Sequence, residues 1–483
     1  MSNQRVSIHG MWSSRSVFIM ATVGSAVGLG NIWKFPYITG EYGGGAFVVV
    51  YLVCIALIGV PVMMAEILLG RRGRSSPIST MKQLAREEGA SPAWSLVGYS
   101  GVVAGFLILS FYSVVAGWAL AYVFQAASGG LNGVTAAQAE GLFGDLVGLP
   151  VQLMIWHTVF MLMTGVVVAR GVRRGIERAV TVLMPALFVM LLIMVAYAFF
   201  EGDFARGFGF LFDVDFSKVF QLCTGTAEQL QCEFNGEPIL VAMGHAFFTL
   251  SLGMGAIMAY GAYVPEHASI TGATITIAVA DTLVALLAGL AIFPIVFASG
   301  LEPGAGPGLI FQTLPIAFGN MPGGQWFGTV FFILLVFAAW SSSISIAEPA
   351  VAWLVEIRGW RRVSAATLVG VLAWVLGIGS VLSFNLWSGE EYQLFGKTLF
   401  DLKDFLASNI MLPLGGLLIA LFVAYGAGRH MALKELAISR QHLFDAWWFV
   451  IRYVAPVGIT IVFLNSVGAI EYLKSIWINS GQG

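Results

Sequence analysis

The feature that most constrains this chain is a series of apolar blocks of about twenty residues or more, separated by short polar segments. A helix needs about 20 apolar residues to cross a hydrocarbon core about 30 Å thick. Only 10% of the 483 residues are charged, whereas soluble domains carry about 25%. We therefore predict an all-α membrane protein with about eleven transmembrane helices. The predicted helices lie near 14–38, 43–69, 95–125, 151–169, 176–200, 238–263, 271–298, 325–355, 363–384, 399–427 and 445–469.

Basic residues are distributed unevenly among the connecting segments. The segments 126–150 and 299–324 contain no Lys or Arg, and 201–237 contains only Arg206 and Lys218. Loops rich in Lys and Arg stay in the cytoplasm, which predicts a cytoplasmic N-terminus and outward-facing segments at these three places. The basic residues that define the cytoplasmic loops are Arg71, Arg72, Arg74, Lys82 and Arg86; Arg170, Arg173 and Arg174; and Arg358, Arg361 and Arg362.

The chain contains three cysteines. Cys54 lies in an apolar block, whereas Cys223 and Cys232 share the outward segment 201–237. An outward loop meets an oxidising compartment, so we expect these two to form a disulfide rather than remain free thiols. Because the closed loop is short, its contribution to stability is expected not to exceed roughly 3 kcal/mol.

Two apolar blocks are interrupted by glycine at matching positions. The first contains GSAVGLGNIWKFP at 24–36, and the sixth contains SLGMG at 251–255. Each glycine costs a helix interior roughly 1 kcal/mol relative to alanine, so something must compensate. Such a pair indicates either close helix packing through small residues or an inverted-repeat transporter with a substrate site at the membrane midplane.

Polar residues beside the interruptions favour the transporter. Asn31, Thr249 and Ser251 lie next to the glycines, where freed backbone groups must line a cavity or be buried in protein. We therefore predict a 5+5 inverted repeat with broken helices 1 and 6. The predicted boundaries are 1–483 for a single transmembrane domain, 11–200 for the first repeat, 238–427 for the second repeat and 445–469 for an extra helix.

The sequence contains four longer motifs, which are, in chain order, GSAVGLGNIWKFPY, EYGGGAF, FFTLSLGMGAI and FAAWSSSISIAEP. Together they resemble the neurotransmitter:sodium symporter family, and specifically its bacterial amino-acid transporters, from about Trp12 to the eleventh block. The resemblance implies sodium-coupled uptake of an amino acid by alternating access. It also implies two bound Na⁺ ions and a location in the bacterial inner membrane.

The resemblance places two sodium sites. Neutral backbone and hydroxyl oxygens suit a hard cation such as Na⁺. The serine run at 341–343 is also compatible with hydrogen bonding between helices, which remains an alternative. The implied ligands are Ala26, Asn31, Thr249, Asp281 and the substrate carboxylate at the first site, and Gly24, Val27, Ala338, Ser341 and Ser342 at the second.

Asp281 departs from many relatives, which carry asparagine at this position. A carboxylate in mid-membrane costs about 2.5 to 3.5 kcal/mol on insertion scales, so it is expected to be functional. Chloride-dependent relatives use a serine one turn later, where this chain has Ala285. We therefore expect Asp281 to supply the negative charge and transport to be chloride-independent. A protonated Asp281 bonded to a neighbouring helix, and proton coupling through it, remain alternatives.

The resemblance also places the substrate. Its carboxylate would meet the amides of Leu29 and Gly30, because freed N–H groups at a helix end favour an anion. Amine-transporting relatives place an aspartate where this chain has Gly28, so the ligand here should bring its own carboxylate. The further implied contacts are the Tyr112 hydroxyl for the carboxylate, and Ala26, Phe248 and Ser251 for the ammonium group.

The implied side-chain pocket is uncharged. A charged substrate side chain would be left unpaired there, and methionine packs adaptably against aromatic groups. We therefore predict a neutral, hydrophobic or aromatic L-amino acid. The residues of this pocket are Ser25, Ile108, Phe248, Met254, Ser342, Ser343 and Ile346.

Two gates follow from the same resemblance. At the inner face, Glu356 matches a gate acid, and its partner is His9 or, alternatively, Arg5. A solvated N-terminal tail is the competing interpretation of both basic residues. The outer gate is composed of Lys34 and Asp404 above an aromatic lid of Phe248 and Tyr112.

Two local features add to this interpretation. Gly175 and Pro185 enclose nine residues, a spacing that resembles a bacterial-family motif permitting the fifth helix to unwind, although an ordinary kink is compatible with it. Glu66 is expected to hold the unwound part of helix 6 rather than to bind an ion.

Other function classes are less well supported. The sequence has no Walker loop, metal-ligand cluster or nucleophile–base motif, so we predict no enzyme, and no basic tail suggests nucleic acid. A channel, a non-transporting sodium-dependent amino-acid receptor, and a betaine or choline carrier are the alternatives. A betaine carrier would need an aromatic cage, for which too few rings converge. The partners expected are the amino acid and the lipid bilayer, and the oligomeric state stays open.

Overall fold

The computed structural model describes residues 7–224, 231–265, 268–303 and 308–469. Most of these residues are helical. The α-helices are α1 (Arg15–Ala26), α2 (Phe35–Glu41), α3 (Gly45–Cys54), α4 (Val60–Gly73), α5 (Pro77–Glu87), α6 (Ser95–Ala127), α7 (Ala136–Gly148), α8 (Pro150–Ala169), α9 (Arg178–Glu201), α10 (Phe204–Phe212), α11 (Ser217–Phe220), α12 (Glu237–Thr249), α13 (Ala256–Ala262), α14 (Ile270–Ala298), α15 (Leu314–Asn320), α16 (Gly324–Arg358), α17 (Arg362–Leu382), α18 (Leu399–Asp404), α19 (Leu412–Leu421), α20 (Gly428–Leu436), α21 (Gln441–Phe449) and α22 (Ala455–Ser466).

Short π-helical and 3₁₀ turns connect several of these helices into longer ones. The π-helical turns are Gly30–Lys34, Ile55–Gly59, Val172–Glu177, Leu309–Thr313, Phe405–Met411, Phe422–Ala427 and Val450–Val454, and the 3₁₀ turns are Pro92–Trp94 and Glu390–Tyr392.

Nine continuous helices among the described residues are long and apolar enough to cross a membrane. Two further spans are interrupted: α1 bends by 50° into Gly30–Glu41, and α12 is followed by α13 after a break. The eleven predicted apolar blocks therefore each correspond to a helix or a broken helix. The nine continuous spans are Gly45–Gly73, Pro92–Ala127, Pro150–Ala169, Val172–Glu201, Ile270–Ala298, Gly324–Arg358, Arg362–Leu382, Leu399–Leu436 and Gln441–Ser466.

The first broken helix starts and stops for local reasons. The Ser14 hydroxyl caps α1 by accepting a hydrogen bond from the amide of Val17 at 3.2 Å. At the other end Val27 leaves the helical region with φ −69° and ψ 105°, directly before Gly28. The chain then resumes as a π-helical turn, so the carbonyls near Val27 face the interior of the bundle rather than the next turn.

The sixth span breaks where three residues adopt left-handed backbone angles. Ser251, Gly253 and Gly255 have φ values of 55°, 80° and 76°. A Cβ at Gly253 would lie 2.2 Å from the carbonyl oxygen of Leu412, so a larger residue does not fit. The Glu66 carboxylate accepts the Gly253 amide at 2.7 Å, as expected for an acid that holds the unwound segment.

The interrupted spans lie at the centre of the helix bundle. α1 packs against α9, α14 and α16, while α13 packs against α4 and α12 against α3. α16 also packs extensively against α6. α8 and α17 pack on each other at the periphery, where apolar side chains such as Leu162 and Val363 remain exposed.

A short hairpin contains the two β-strands found in the described residues. Its strands β1 (Gln221–Thr224) and β2 (Gln231–Phe234) pair antiparallel, with Cys223 opposite Cys232. This register is compatible with the predicted disulfide, but the side chains lie outside the described part of the structure. The disulfide therefore stays a prediction, as do the repeat boundaries at 11–200 and 238–427.

Candidate functional site

A small cavity lies between the two helix breaks. Its walls come from both broken spans and from α6 and α16. None of the lining residues is charged. They are Ser25, Ala26, Gly28, Leu29, Gly30, Ile108, Tyr112, Phe248, Ser251, Met254, Ser342 and Ile346.

Polar groups occupy one side of this cavity. The Tyr112 hydroxyl accepts a hydrogen bond from the Leu29 amide at 3.2 Å. The Ser251 hydroxyl donates to the Ser25 carbonyl at 2.8 Å and so joins the two breaks directly. Backbone N–H groups, a phenol and carbonyl oxygens thus converge within one enclosed space, which matches the needs of a zwitterion with separate anionic and cationic ends.

Gly28 provides the space for this arrangement. A Cβ at this position would lie 2.5 Å from Ser342 Oγ and 2.8 Å from the Tyr112 hydroxyl. Neither distance is tolerable for a carbon atom, so a side chain here would displace both polar groups. This crowding explains why a residue with its own carboxylate, such as aspartate, has no room at position 28 of this chain.

The predicted first sodium site is a buried hydrogen-bonded cluster around Asp281. Asn31 Nδ2 donates to Asp281 Oδ1 at 2.8 Å and to its carbonyl at 3.1 Å. The Thr249 hydroxyl lies 3.0 and 3.2 Å from the two carboxylate oxygens. Asn31 Oδ1 in turn accepts the Gly28 amide at 3.0 Å, and Ala26 lines the adjoining cavity. The four predicted residues are therefore brought to one place beside the cavity.

The residues predicted for the second sodium site lie on α16 and at the first break. The Ser342 hydroxyl lies 3.4 Å from the Gly24 carbonyl and 3.1 Å from the Val27 carbonyl. The Ser341 hydroxyl is 3.1 Å from the Ala338 carbonyl. All five residues are buried, and neutral oxygens suit a monovalent hard cation. The contacts bring Ser342 to the first break, whereas the Ser341 hydroxyl bonds carbonyls of its own helix, so the shared site of all five stays a prediction.

Ser343 does not lie where the sequence analysis placed it. Its hydroxyl donates to the Trp340 carbonyl at 2.8 Å and lies 2.8 Å from the hydroxyl of Thr164 on α8. Consecutive helix residues are rotated by about 100°, so Ser342 faces the first break while Ser343 faces α8. The expectation that Ser343 lines the side-chain pocket is therefore corrected: it bridges two helices outside the cavity.

A model of the Sodium:neurotransmitter symporter family matches residues 9–137 and 146–478. The chain belongs to this family. The sodium-dependent transporter YhdH of Bacillus subtilis is 38% identical over 464 residues, which cover 95% of this chain and 98% of that one. A sodium-dependent transporter of Haemophilus influenzae is 33% identical over 94% of this chain and 98% of its own.

A solved structure agrees with the same assignment. The crystal structure of MhsT in complex with L-phenylalanine is similar to this symporter with a TM-score of 0.84 and 42% sequence identity. The similarity covers 95% of this chain and 99% of that chain. The symporter is therefore a multi-pass, sodium-dependent membrane transporter with the fold of a bacterial amino-acid transporter, and its family is one of transporters rather than enzymes.

Hydrogen bonds join the residues that were predicted to form the inner gate of the symporter. His9 Nε2 lies 3.0 Å from Glu356 Oε1, which also accepts the Ser76 amide at 2.6 Å. The Ser76 hydroxyl donates to Glu356 Oε2 at 2.5 Å. His9 is thus the residue that meets Glu356 in the structure, while Arg5 lies outside the described residues. Ser76 carried no signal in the sequence because it is one serine in an ordinary polar loop.

A second network at the same end was missed by the sequence analysis. Glu348 is fully buried and accepts hydrogen bonds from the Tyr263 hydroxyl, at 2.8 Å, and from Arg362. Trp12 donates its amide to the Tyr263 carbonyl at 3.0 Å and its indole N–H to the Tyr260 carbonyl at 3.1 Å. An acid inside an apolar block was the available signal for this network.

The outer gate differs from the prediction. Lys34 and Asp404 do not form an ion pair in the structure: Lys34 Nζ lies 4.8 Å from the centre of the Phe248 ring, and Asp404 accepts the Ser408 hydroxyl at 2.7 Å. A cation over an aromatic face is favourable, so the ring of Phe248 takes the place of the carboxylate. Phe248 and Tyr112 both line the cavity, as expected for the lid.

Proposed function

We propose that this symporter takes up a neutral, hydrophobic or aromatic L-amino acid, driven by two Na⁺ ions and without chloride. The observation that carries the proposal is the uncharged cavity between the two helix breaks, with the Asp281 cluster directly beside it. An amino acid in this cavity would bring its carboxylate towards the cluster and its side chain towards the apolar wall.

The substrate class follows from the chemistry of the cavity. Ile108, Met254 and Ile346 form an apolar wall, with Phe248 at one end. Burying a charged side chain there without a partner would be strongly unfavourable. MhsT, which has the same fold, was crystallised with L-phenylalanine. That complex supports a hydrophobic or aromatic substrate for the present chain.

The fixed negative charge of Asp281 is the basis for proposing that transport is independent of chloride. Moving Na⁺ and a zwitterion through a low-dielectric interior is easier when a resident anion offsets the added positive charge. Asp281 has that position, since its carboxylate lies within hydrogen-bond distance of both Asn31 and Thr249. Ala285, one turn later, has no hydroxyl with which to hold an anion.

The orientation is part of the same proposal. The arginine-rich loops after the second, fourth and eighth spans indicate a cytoplasmic N-terminus in the bacterial inner membrane. The helix break would then be reached from outside past Phe248 and from inside past Glu356.

The decisive experiment is uptake of labelled L-amino acids into proteoliposomes under an inward sodium gradient, with chloride or gluconate as the anion. We expect sodium-driven uptake of phenylalanine-like or leucine-like substrates at equal rates in both anions. Lysine and glutamate should not be taken up. Asp281→Ala should abolish sodium-driven uptake, because among the residues that we place at the two ion sites Asp281 alone carries a carboxylate.

Two results would contradict the proposal. Uptake that needs chloride would disprove the role given to Asp281, while uptake that ignores sodium would disprove both ion sites. Sodium-dependent binding of the amino acid without any uptake would instead indicate a receptor built on the same fold.

A further inference from the structure

An apolar groove runs along the periphery of the bundle between α8 and α17, away from the substrate cavity. It has an empty volume of about 870 Å³. Leu162 and Val363, on its rim, are 63% and 60% exposed. Its lining is almost entirely aliphatic and aromatic, and includes Met161, Val166, Val371 and Trp374. A groove of this composition on a membrane-spanning surface faces lipid acyl chains.

Two glycines keep the groove open. Gly165 on α8 and Gly370 on α17 both line it, and a Cβ at either position would meet no atom within 4 Å. These glycines are therefore not needed for close contact between the two helices. They leave room for an additional chain-like group.

The groove continues at one end into a basic pocket. The pocket has an empty volume of about 1100 Å³ and shares Ala169 and Val363 with the groove. Three exposed arginines line it: Arg170, Arg174 and Arg178. An elongated apolar surface thus ends in a concentrated positive charge.

These three arginines are not paired with an acid in the part of the chain that the structure describes. None of the ion pairs in the described part of the structure includes them, whereas their neighbour Arg173 donates to the Met11 carbonyl at 3.0 Å. The nearby acid Glu177 is already bound by Ser13, whose hydroxyl lies 2.5 Å from its carboxylate.

An unsatisfied donor lies in the same pocket. Trp340 lines it, and the buried indole nitrogen of this residue has no hydrogen-bond partner among the described residues. A buried N–H without an acceptor is unfavourable, so a ligand that brings oxygen atoms into the pocket would be stabilised.

We propose that the groove and its basic pocket bind one anionic phospholipid. One acyl chain lies between α8 and α17, and the phosphate lies among Arg170, Arg174 and Arg178. Guanidinium groups bind phosphate oxygens through paired N–H donors, and basic pockets between membrane helices bind anionic headgroups. A zwitterionic headgroup is disfavoured, because its ammonium group would enter a pocket that is already positive.

Native mass spectrometry of the purified full-length protein tests the headgroup. Phosphatidylglycerol should bind at least about tenfold more tightly than phosphatidylcholine with the same acyl chains, since each basic residue near a headgroup contributes about 1 kcal/mol, or roughly fivefold. The triple variant Arg170→Gln, Arg174→Gln, Arg178→Gln should lose this preference.

A charge-matched control separates the pocket from general surface charge. Lys82, Arg86 and Lys434 are exposed and do not line the groove or the pocket. Replacing all three by Gln removes the same net charge and should leave the preference for phosphatidylglycerol unchanged. Equal loss in both triple variants, or equal binding of the two lipids by the unmodified protein, would overturn the proposal.

The groove is tested by filling it. Gly165→Leu with Gly370→Leu should weaken phosphatidylglycerol binding by at least about tenfold, since the leucines take the space of the acyl chain. Gly144→Leu is the control, because Gly144 is an open glycine on α7. Unchanged lipid binding in the double variant would overturn the proposal. The proposal would also be overturned if inorganic phosphate alone displaced phosphatidylglycerol, or if a second copy of the chain occupied the groove.

Discussion

At the scale of single residues, the site depends on which face of a helix each side chain occupies. Ser341, Ser342 and Ser343 are chemically identical, and the sequence alone assigned two of them to a sodium site and two of them to the substrate pocket. The structure separates them by rotation, with Ser342 towards the first break and Ser343 towards Thr164. The presence of serine hydroxyls near the site was predictable from the sequence. Which hydroxyl faces the first break was not, because the rotation of α16 depends on the packing of neighbouring helices.

The adjacent serines provide a matched pair of variants. Ser342→Ala should raise the sodium concentration for half-maximal uptake by about fivefold to tenfold, because it removes one oxygen ligand. Ser343→Ala should leave that concentration unchanged while lowering thermal stability slightly, through loss of the bond to Thr164. The sodium dependence of uptake in proteoliposomes measures the first effect and thermal unfolding measures the second. The opposite pattern would exclude Ser342 as a ligand.

Gly28 provides a second test at this scale. Gly28→Ala should raise the substrate concentration for half-maximal uptake by at least about tenfold, because the new methyl group overlaps Ser342 and Tyr112. Gly244→Ala is the control, since a Cβ at Gly244 meets no atom within 4 Å. Substrate saturation curves measure both. An equal effect of the two substitutions would mean that helix flexibility, rather than space in the cavity, is what Gly28 supplies.

At the scale of elements, the positions of the helix breaks were more predictable than the contacts at the gates. The glycine patterns located both interruptions, and composition located the spans, because a bilayer requires long apolar helices. The gates were predicted less well. Whether Lys34 pairs with Asp404 or lies over Phe248 depends on how separate helical segments approach each other, and no sequence pattern records that distance.

The unwound part of span six should depend on Glu66. Glu66→Ala removes the acceptor of the Gly253 amide and should raise the substrate concentration for half-maximal uptake by about tenfold, since a buried backbone donor is left unpaired. Glu66→Gln keeps an oxygen in place and should remain within about twofold of the unmodified protein. Substrate saturation of uptake distinguishes the two. An equal increase of this substrate concentration in both variants would indicate that the negative charge of Glu66, rather than its role as a hydrogen-bond acceptor, is required.

At the scale of the whole molecule, closure of the inner face joins parts of the chain that are far apart in sequence. His9 near the N-terminus, Ser76 after span two and Glu356 at the end of span eight meet in one hydrogen-bonded cluster. The family resemblance pointed to Glu356, and the fold was largely predictable from apolar blocks, but the meeting of three segments required the structure.

Loss of His9 should loosen this face. His9→Ala should increase hydrogen–deuterium exchange in the segment that contains Trp12 by about tenfold, since one of its anchors to span eight is removed. His442→Ala, at an exposed position, is the control. Exchange measured on the full-length protein in nanodiscs gives the comparison. Unchanged exchange in His9→Ala would show that the bonds from Trp12 to Tyr260 and Tyr263 hold this segment without help from His9.

The two bonds from Trp12 have a mechanical consequence. They attach the start of the first span to the carbonyls of Tyr260 and Tyr263 at the end of the sixth, and so join the two broken helices on the same side of both breaks. The part of the first span before its break and the part of the sixth span after its break are thereby linked to each other. If one of these segments moved away from the bundle, the two bonds would carry the other with it, so under the proposed function the substrate and its ions would lose their inner wall in a single step.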